Sequence, residues 1–217
     1  MTQSADTKPL HHGRLREEVI RHALAEARLG AIEGLSMRDL SRQLGVSPGA
    51  IYRHFEDRDA ILRAVAQAGF DLLAERFAAA LPFDSTATSG ADAVARFEAL
   101  AIAYVTFAST HYGLWRLMFG PYGRDPEAPR PERPTTYQWL GKALAELHAH
   151  GLIETATPED QYFAWTAVHG LSDLQASPAA PSAPVTANTR RHVRLTLRAL
   201  GYRAKYLDSA VPRHDET

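Results

Sequence analysis

Apolar residues recur every three or four positions through most of the chain, and small or polar stretches interrupt that period where one helix should give way to the next. From Arg14 to Leu29, Val19, Ile20, Ala23, Leu24 and Ala27 line one helical face, and Gly30 supplies a stop. Ser36 and Asp39 form a capping-box pattern, in which hydroxyl and carboxylate can each satisfy a backbone N–H at the start of a short second helix ending at Leu44. Gly45 suits a left-handed turn, Ser47 a cap, and Pro48 the first position of a third helix that runs to about Phe55. Asp57 is placed to cap a fourth helix, where Ile61, Leu62, Val65, Leu72, Leu73 and Phe77 keep the spacing as far as Leu81.

Pro82 and the Ser/Thr/Gly-rich stretch to Gly90 break the period. Helices are then predicted over 91–111, 135–151 and 158–176, with a short apolar piece from Leu114 to Phe119 and a last helix from Asn188 carrying Val193, Leu197 and Leu200 on one stripe. Pro121–Pro134 and Ser177–Ala187 read as loops. There is no internal repeat and no alternating strand pattern, so the expected class is all-α, with a small module over residues 14–60 and a larger helical domain over 61–203.

Composition narrows the chemistry. At 217 residues and 45% apolar the chain can bury a substantial core, and a formal net charge of -1 means that any affinity for nucleic acid comes from a local patch. The absence of cysteine excludes disulfides, a thiolate nucleophile and Cys-ligated zinc, and suits a reducing cytoplasm. Residues 1–13 are polar, and no segment reaches the roughly 18 uninterrupted apolar residues of a membrane helix, so a cytoplasmic protein with no membrane partner is expected. His148 and His150 point to different helix faces and His11 and His12 sit in a polar leader, so neither a metal nor a cofactor is expected.

A short helix, a turn containing Gly45 and a second short helix have the spacing of a helix-turn-helix, whose second helix enters the major groove of double-stranded DNA. Leu40, Leu44, Val46, Ile51 and Phe55 can pack the pair, leaving Ser47, Gly49, Ala50, Arg53 and His54 outward. A plain buried hairpin has no need of such small and hydrogen-bonding residues on its second helix. The segment GLSMRDLSRQLGVSPGAIYRHFEDRDAIL, Gly34 to Leu62, and more broadly residues 14–65, closely resembles the TetR family of repressors. That resemblance implies that Ser47, Gly49, Ala50, Tyr52 and His54 lie at the DNA surface, with Ser36 and Arg38 reaching the phosphate backbone from the second helix and Arg58 from the fourth. Arg53 is either a base-reading guanidinium or a solvated side chain.

The resemblance also implies a homodimer on operator DNA, a regulatory domain with a ligand cavity, and a dimer interface built from the last two long helices. The sequence supports this division independently. At about 100° per residue, helix 158–176 places Tyr162, Trp165, His169, Ser172 and Asp173 on one arc and Phe163, Ala167, Gly170, Leu171 and Leu174 on another. The first arc, with Tyr104 and Phe107 from helix 91–111, is a candidate site for a small, mainly apolar or aromatic effector. The second, with Val193, Leu197 and Leu200, is the candidate dimer surface. Residues WTAVHG, Trp165 to Gly170, resemble the WHG-type C-terminal domain of some TetR regulators, and Trp165 and His169 are a structural pair, ligand contacts, or both. The expected function is therefore a repressor released from a palindromic operator by its effector. Two alternatives compete: a dimeric DNA-binding protein without effector, and a helical enzyme using His169 with Asp173. The enzyme reading lacks a nucleophile elbow, a phosphate-binding loop and a zinc motif.

Overall fold

The computed structural model describes residues 14–123, 134–177 and 184–202. Among these residues the regular structure is entirely helical, as the periodicity implied: α1 (Leu15–Arg28), a 3-10 turn (Ile32–Gly34), α2 (Met37–Gln43), α3 (Pro48–Tyr52), α4 (Arg58–Ala80), α5 (Gly90–Thr110), α6 (Tyr112–Met118), α7 (Thr136–Ala149), α8 (Pro158–Ala176) and α9 (Val185–Ala199). The last helix starts earlier than Asn188 because Pro184, in an extended backbone conformation, occupies its N-cap. Most of the expected loop Pro121–Pro134, part of Ser177–Ala187, and His11 and His12 fall outside the described residues.

The described residues form two compact units, one running to Gly69 and resuming at Gly113, the other comprising Phe70–Tyr112 and the residues from Pro134 onward. In the first unit Val19, Ala23 and Ala27 of α1 are buried, as are Leu40, Leu44, Ile51, Phe55, Ile61, Leu62 and Val65, so a single small core joins α1, α2, α3 and the start of α4. Gly45 turns the chain between α2 and α3 at φ +66°, a conformation that a side chain would strain. Asp57 Oδ1 accepts the Ala60 N–H at 2.7 Å and so caps α4, as its position suggested. This unit extends beyond the limit expected at residues 60 and 61 because it recruits α6. Gly69 admits the Met118 side chain, and Gly113 lies so close to the Ala27 carbonyl and the Gly30 backbone that a Cβ would stand 2.8 Å from Gly30 Cα.

In the second unit α5 is central and packs against α7, α8 and α9. Its length and hydropathy match those of a membrane-crossing helix, yet half of its apolar window is buried inside the protein, as in a core helix. Arg96 of α5 is buried with Glu146 of α7, its Nε 2.7 Å from one carboxylate oxygen and its Nη2 3.1 Å from the other. The same guanidinium donates to the Ser85 carbonyl at 2.7 Å and to its hydroxyl at 3.1 Å, fixing the loop that leads into α5. Trp139 of α7 donates its indole N–H to the Leu81 carbonyl at 3.1 Å and meets Phe77 and Phe83 edge-on, closing the end of the bundle around aromatic rings.

Candidate functional site

The helix-turn-helix face is built from caps and turns that neighbouring residues dictate. Ser36 at the N-cap of α2 accepts the Asp39 N–H at 3.0 Å and donates its hydroxyl to the Asp39 carboxylate at 2.6 Å. This is half of the expected capping box, since the carboxylate returns to the hydroxyl and not to the backbone. That hydroxyl, followed by the Arg42 charge, holds the Asp39 carboxyl below its usual range despite some loss of solvation. Ser47 occupies the N-cap of α3 but makes no capping bond, contrary to its expected role, and its side chain lies on the surface.

Ser47, Gly49, Tyr52, Arg53 and His54 are all exposed, as is Arg38 on α2, so the sequence-nominated residues largely share open surface on the two helices. Tyr52 is 54% exposed although it is large and aromatic. Two residues depart from the expected placement. Ala50 is buried with Ile51 on the inner side of α3, where the helical turn carries it away from solvent. Arg58 points back into its own unit: its Nε donates to the Leu35 carbonyl at 2.9 Å and its Nη2 to the Ile32 and Glu33 carbonyls at 3.2 and 3.1 Å. It thereby clasps the 3-10 turn that delivers the chain to the Ser36 cap, a role that sequence reasoning missed because so short a turn has no periodicity.

In the second unit, Tyr104 of α5 is buried and stands between two residues of α8. Trp165 Nε1–H donates to its hydroxyl oxygen at 3.0 Å, and His169 Nδ1 lies 3.0 Å from the same oxygen. The rings of Trp165 and His169 are 5.6 Å apart, so the two residues are a structural pair as well as partners of Tyr104. Tyr162 and Tyr137 each meet Trp165 edge-on at 5.9 Å, which adds Tyr137 to the group that the α8 arc suggested. Burial pushes the Tyr104 phenol far above its ordinary value. Burial likewise holds the His169 imidazole below its ordinary value, partly opposed by the negative charge of Asp173. Phe107 is buried against His111, their rings 5.0 Å apart, instead of joining the Trp165 contacts. Ser172 is fully buried and gives its hydroxyl to the Val168 carbonyl at 2.8 Å, while Asp173 is exposed, so the single arc drawn at sequence level divides into an inner and an outer side.

The candidate dimer residues divide similarly. Phe163, Gly170 and Leu174 of α8 are exposed, Leu174 to 71%, and Leu171 is half-buried. On α9, Val193 and Leu197 are buried within the unit, which corrects their assignment to the dimer surface, while Leu200 is half-buried. The helix has one strongly apolar stripe, and the core of its own unit takes it. Leu195, together with Arg190, Arg191 and Arg198, forms the exposed face instead.

Comparisons with known proteins agree with this architecture. The family model for bacterial regulatory proteins of the tetR family matches residues 19–65, and the model for the Tetracyclin repressor-like C-terminal domain matches residues 97–200. A Rhodococcus sp. RHA1 structure of a protein with unknown function is 30% identical, with 90% of this chain and 99% of that chain covered and a TM-score of 0.67. A bacterial regulatory protein in the tetR family from Rhodococcus RHA1 is 20% identical over 92% of this chain and 100% of its own, at a TM-score of 0.59, and shares the fold. So does a transcriptional regulator of the TetR/AcrR family from Thermobifida fusca, 19% identical over 87% of this chain and 98% of its own, with a TM-score of 0.63. No match is found among curated proteins. With an exposed helix-turn-helix under one family model and a larger helical unit under the other, the chain belongs to the TetR family of DNA-binding transcription regulators.

Proposed function

We propose that the protein is a cytoplasmic dimeric repressor that binds a palindromic or near-palindromic operator and leaves it when a small, mainly apolar or aromatic molecule binds between α5 and α8. The observation that carries the sensing half is Tyr104, a buried hydroxyl held between Trp165 and His169 and flanked by further aromatic rings. A few oriented polar groups among aromatic surfaces are what a specific small-molecule site requires. Asp173 lies close enough to act electrostatically on His169, and Tyr162 to border Trp165.

The reading half rests on the exposed group Arg38, Ser47, Gly49, Tyr52, Arg53 and His54, which combines hydroxyls, a cationic side chain on each helix and a glycine that permits close approach. Pairing of copies is supported by the wet apolar surface of Phe163, Leu174 and Leu195. Exposed Glu159 on α8 and Arg191 and Arg198 on α9 give that surface both charge signs, which a two-fold interface can match against itself.

Release requires the ligand to prefer a dimer whose reading helices no longer fit the groove spacing, because equal affinity for both forms shifts nothing. Linkage then makes the effect reciprocal. A thermal-shift screen identifies a stabilising compound, and calorimetry measures its affinity with and without operator. The expected result is weaker ligand binding on the operator by the same factor that ligand weakens DNA binding, and reduced ligand affinity in folded Trp165→Ala and His169→Ala variants. Ligand affinity that is unchanged by DNA would leave a dimeric DNA-binding protein without effector control.

A further inference from the structure

We infer that Arg16, in the first turn of α1, is a further DNA-contacting residue: its guanidinium, held over Phe55 just past the end of α3, takes a phosphate of the operator backbone in each half-site. The inference rests on the reading that the exposed face of α2 and α3 meets DNA, and it adds a third helix to that face.

The placement comes from packing within the first unit. Phe55 follows the exposed Arg53 and His54 and is itself buried in the core, 4% exposed. The Arg16 guanidinium carbon stands 5.5 Å from the centre of its ring, so α1 brings a cation to the carboxyl end of the reading helix. Arg16 is exposed and makes no hydrogen bond or ion pair among the described residues. A ring attracts the charge of a guanidinium but occupies none of its five N–H donors in hydrogen bonds to oxygen, so these stay available. The neighbouring carboxylates do not neutralise it. Glu18 is committed to Arg21, and the exposed Glu17 and Glu56 form no ion pair with Arg16.

A cation anchored in this way suits a polymer backbone. An arginine that swings freely loses rotamer freedom when it meets a phosphate, whereas one already resting on an aromatic ring loses less. Its planar fork also matches two phosphate oxygens at once. Arg58, three residues beyond Phe55, was the cation expected to reach the backbone here, but its guanidinium is turned inward onto the Ile32, Glu33 and Leu35 carbonyls. That leaves Arg16 as the cation held beside Phe55 with its donors unused.

Two variants separate the charge from the packing. Arg16→Met keeps an apolar stem over Phe55 and removes the charge, while Arg28→Ala removes an equally exposed and unpaired charge about 18 Å further along the same helix. Binding of the full chain to an inverted-repeat duplex that it selects from random-sequence DNA is followed by fluorescence anisotropy between about 50 and 200 mM salt. Arg16→Met is expected to bind about tenfold more weakly and to flatten the slope of log affinity against log salt by about one per protomer. Its order of preference among duplexes should not change, because a phosphate carries no sequence. Arg16→Lys should recover most of the slope, and Arg28→Ala should match the unaltered protein. Ethylation of one phosphate in each half-site should weaken binding by the unaltered protein and not by Arg16→Met. An unchanged slope in Arg16→Met, with only the denaturation midpoint of Arg16→Ala lowered, overturns the inference and leaves Arg16 as a cover for Phe55. An equal loss in Arg28→Ala overturns it too, since the effect would then be one of overall charge. Absence of any sequence preference in the unaltered protein contradicts the reading of DNA by α3 and this contact with it.

Discussion

In the first unit Arg42 and Asp39 approach to 2.7 Å with side chains 74% and 45% exposed, whereas in the second Arg96 and Glu146 meet at the same 2.7 Å with 9% and 8% exposed. The exposed pair is three residues apart on one helix and can be remade in water at little cost. The buried pair ties α5 to α7 across 50 residues of sequence and has no solvent to fall back on. The contrast extends to the candidate functional side chains. The proposed DNA contacts lie open on two short helices, while Tyr104, Trp165 and His169 meet one another across a helix interface. A surface that meets a charged polymer has to keep its hydrogen-bonding groups available, and a surface that discriminates small molecules has to fix theirs in advance.

The largest expected effect breaks the buried member of that comparison. Glu146→Ala leaves the Arg96 guanidinium unpaired and should destabilise the protein by roughly 3–5 kcal/mol, as measured by chemical denaturation. Arg42→Ala, which breaks the exposed pair, should change the midpoint by no measurable amount. Equal effects would mean that burial does not distinguish the two pairs.

A second test concerns packing within the DNA-reading unit. Gly113→Ala pushes a Cβ against the Ala27 carbonyl and the Gly30 backbone, neither of which is a flexible side chain. The expected cost is about 1–3 kcal/mol, typical of overpacking. An unperturbed denaturation midpoint would show that α6 can shift away from the end of α1 without penalty.

How much of this could be read from sequence follows the same division. The path from Ser36 through Gly45 and Pro48 to Asp57 is set by residues within a few positions of one another, so the two short helices were legible from turn chemistry and the outward Ser47, Gly49, Arg53 and His54 from the packing pattern, whereas Arg38 and Tyr52 entered through the family resemblance. The role of Arg58 was not legible, because its acceptors lie 23 to 26 residues earlier on a 3-10 turn too short to show a period. In the second unit, helical spacing placed Trp165 and His169 on one arc with Tyr104 nominated beside them, and the three side chains do meet. Spacing could not decide what covers an apolar stripe: Val193 and Leu197 face the core of their own unit, while Leu174 remains exposed. The Arg96–Glu146 pair has no local signature at all, since each residue alone looks like an ordinary charge on a helix.

The exposed face can be dissected without touching stability. Tyr52→Ala and His54→Ala should each weaken specific DNA binding by about tenfold, the loss of one hydrogen bond to a charged phosphate, with helicity unchanged by circular dichroism. Arg53→Ala should reduce the slope of log affinity against log salt by about one if the guanidinium meets a phosphate. An unchanged slope with altered base preference would assign it to a base edge instead.

The smallest effect is a pH dependence confined to the buried cluster. Burial sets the folded-state pKa of His169 below its ordinary value of 6.5, so as pH falls the unfolded chain takes up that proton first. Stability that is fully present above pH 6.5 is therefore lost as pH descends from there through the lower folded-state value. Denaturation of the protein and of His169→Asn at a series of pH values should show a steeper loss in the unaltered protein. Parallel curves would mean that His169 gains its proton equally easily in both states.

The central claim, specific reading of a two-fold operator by α3, is tested most directly by selecting bound duplexes from a random-sequence DNA pool with the full chain and sequencing them. The account predicts enrichment of one inverted repeat whose half-sites are separated by about one or more helical turns, roughly 10 base pairs each, and loss of that enrichment in the folded Tyr52→Ala variant. The selected site should also lose on the order of a thousandfold in affinity between about 50 and 200 mM salt if some six phosphates are neutralised. Recovery of no sequence preference, or the same enrichment from Tyr52→Ala as from the unaltered protein, would contradict it.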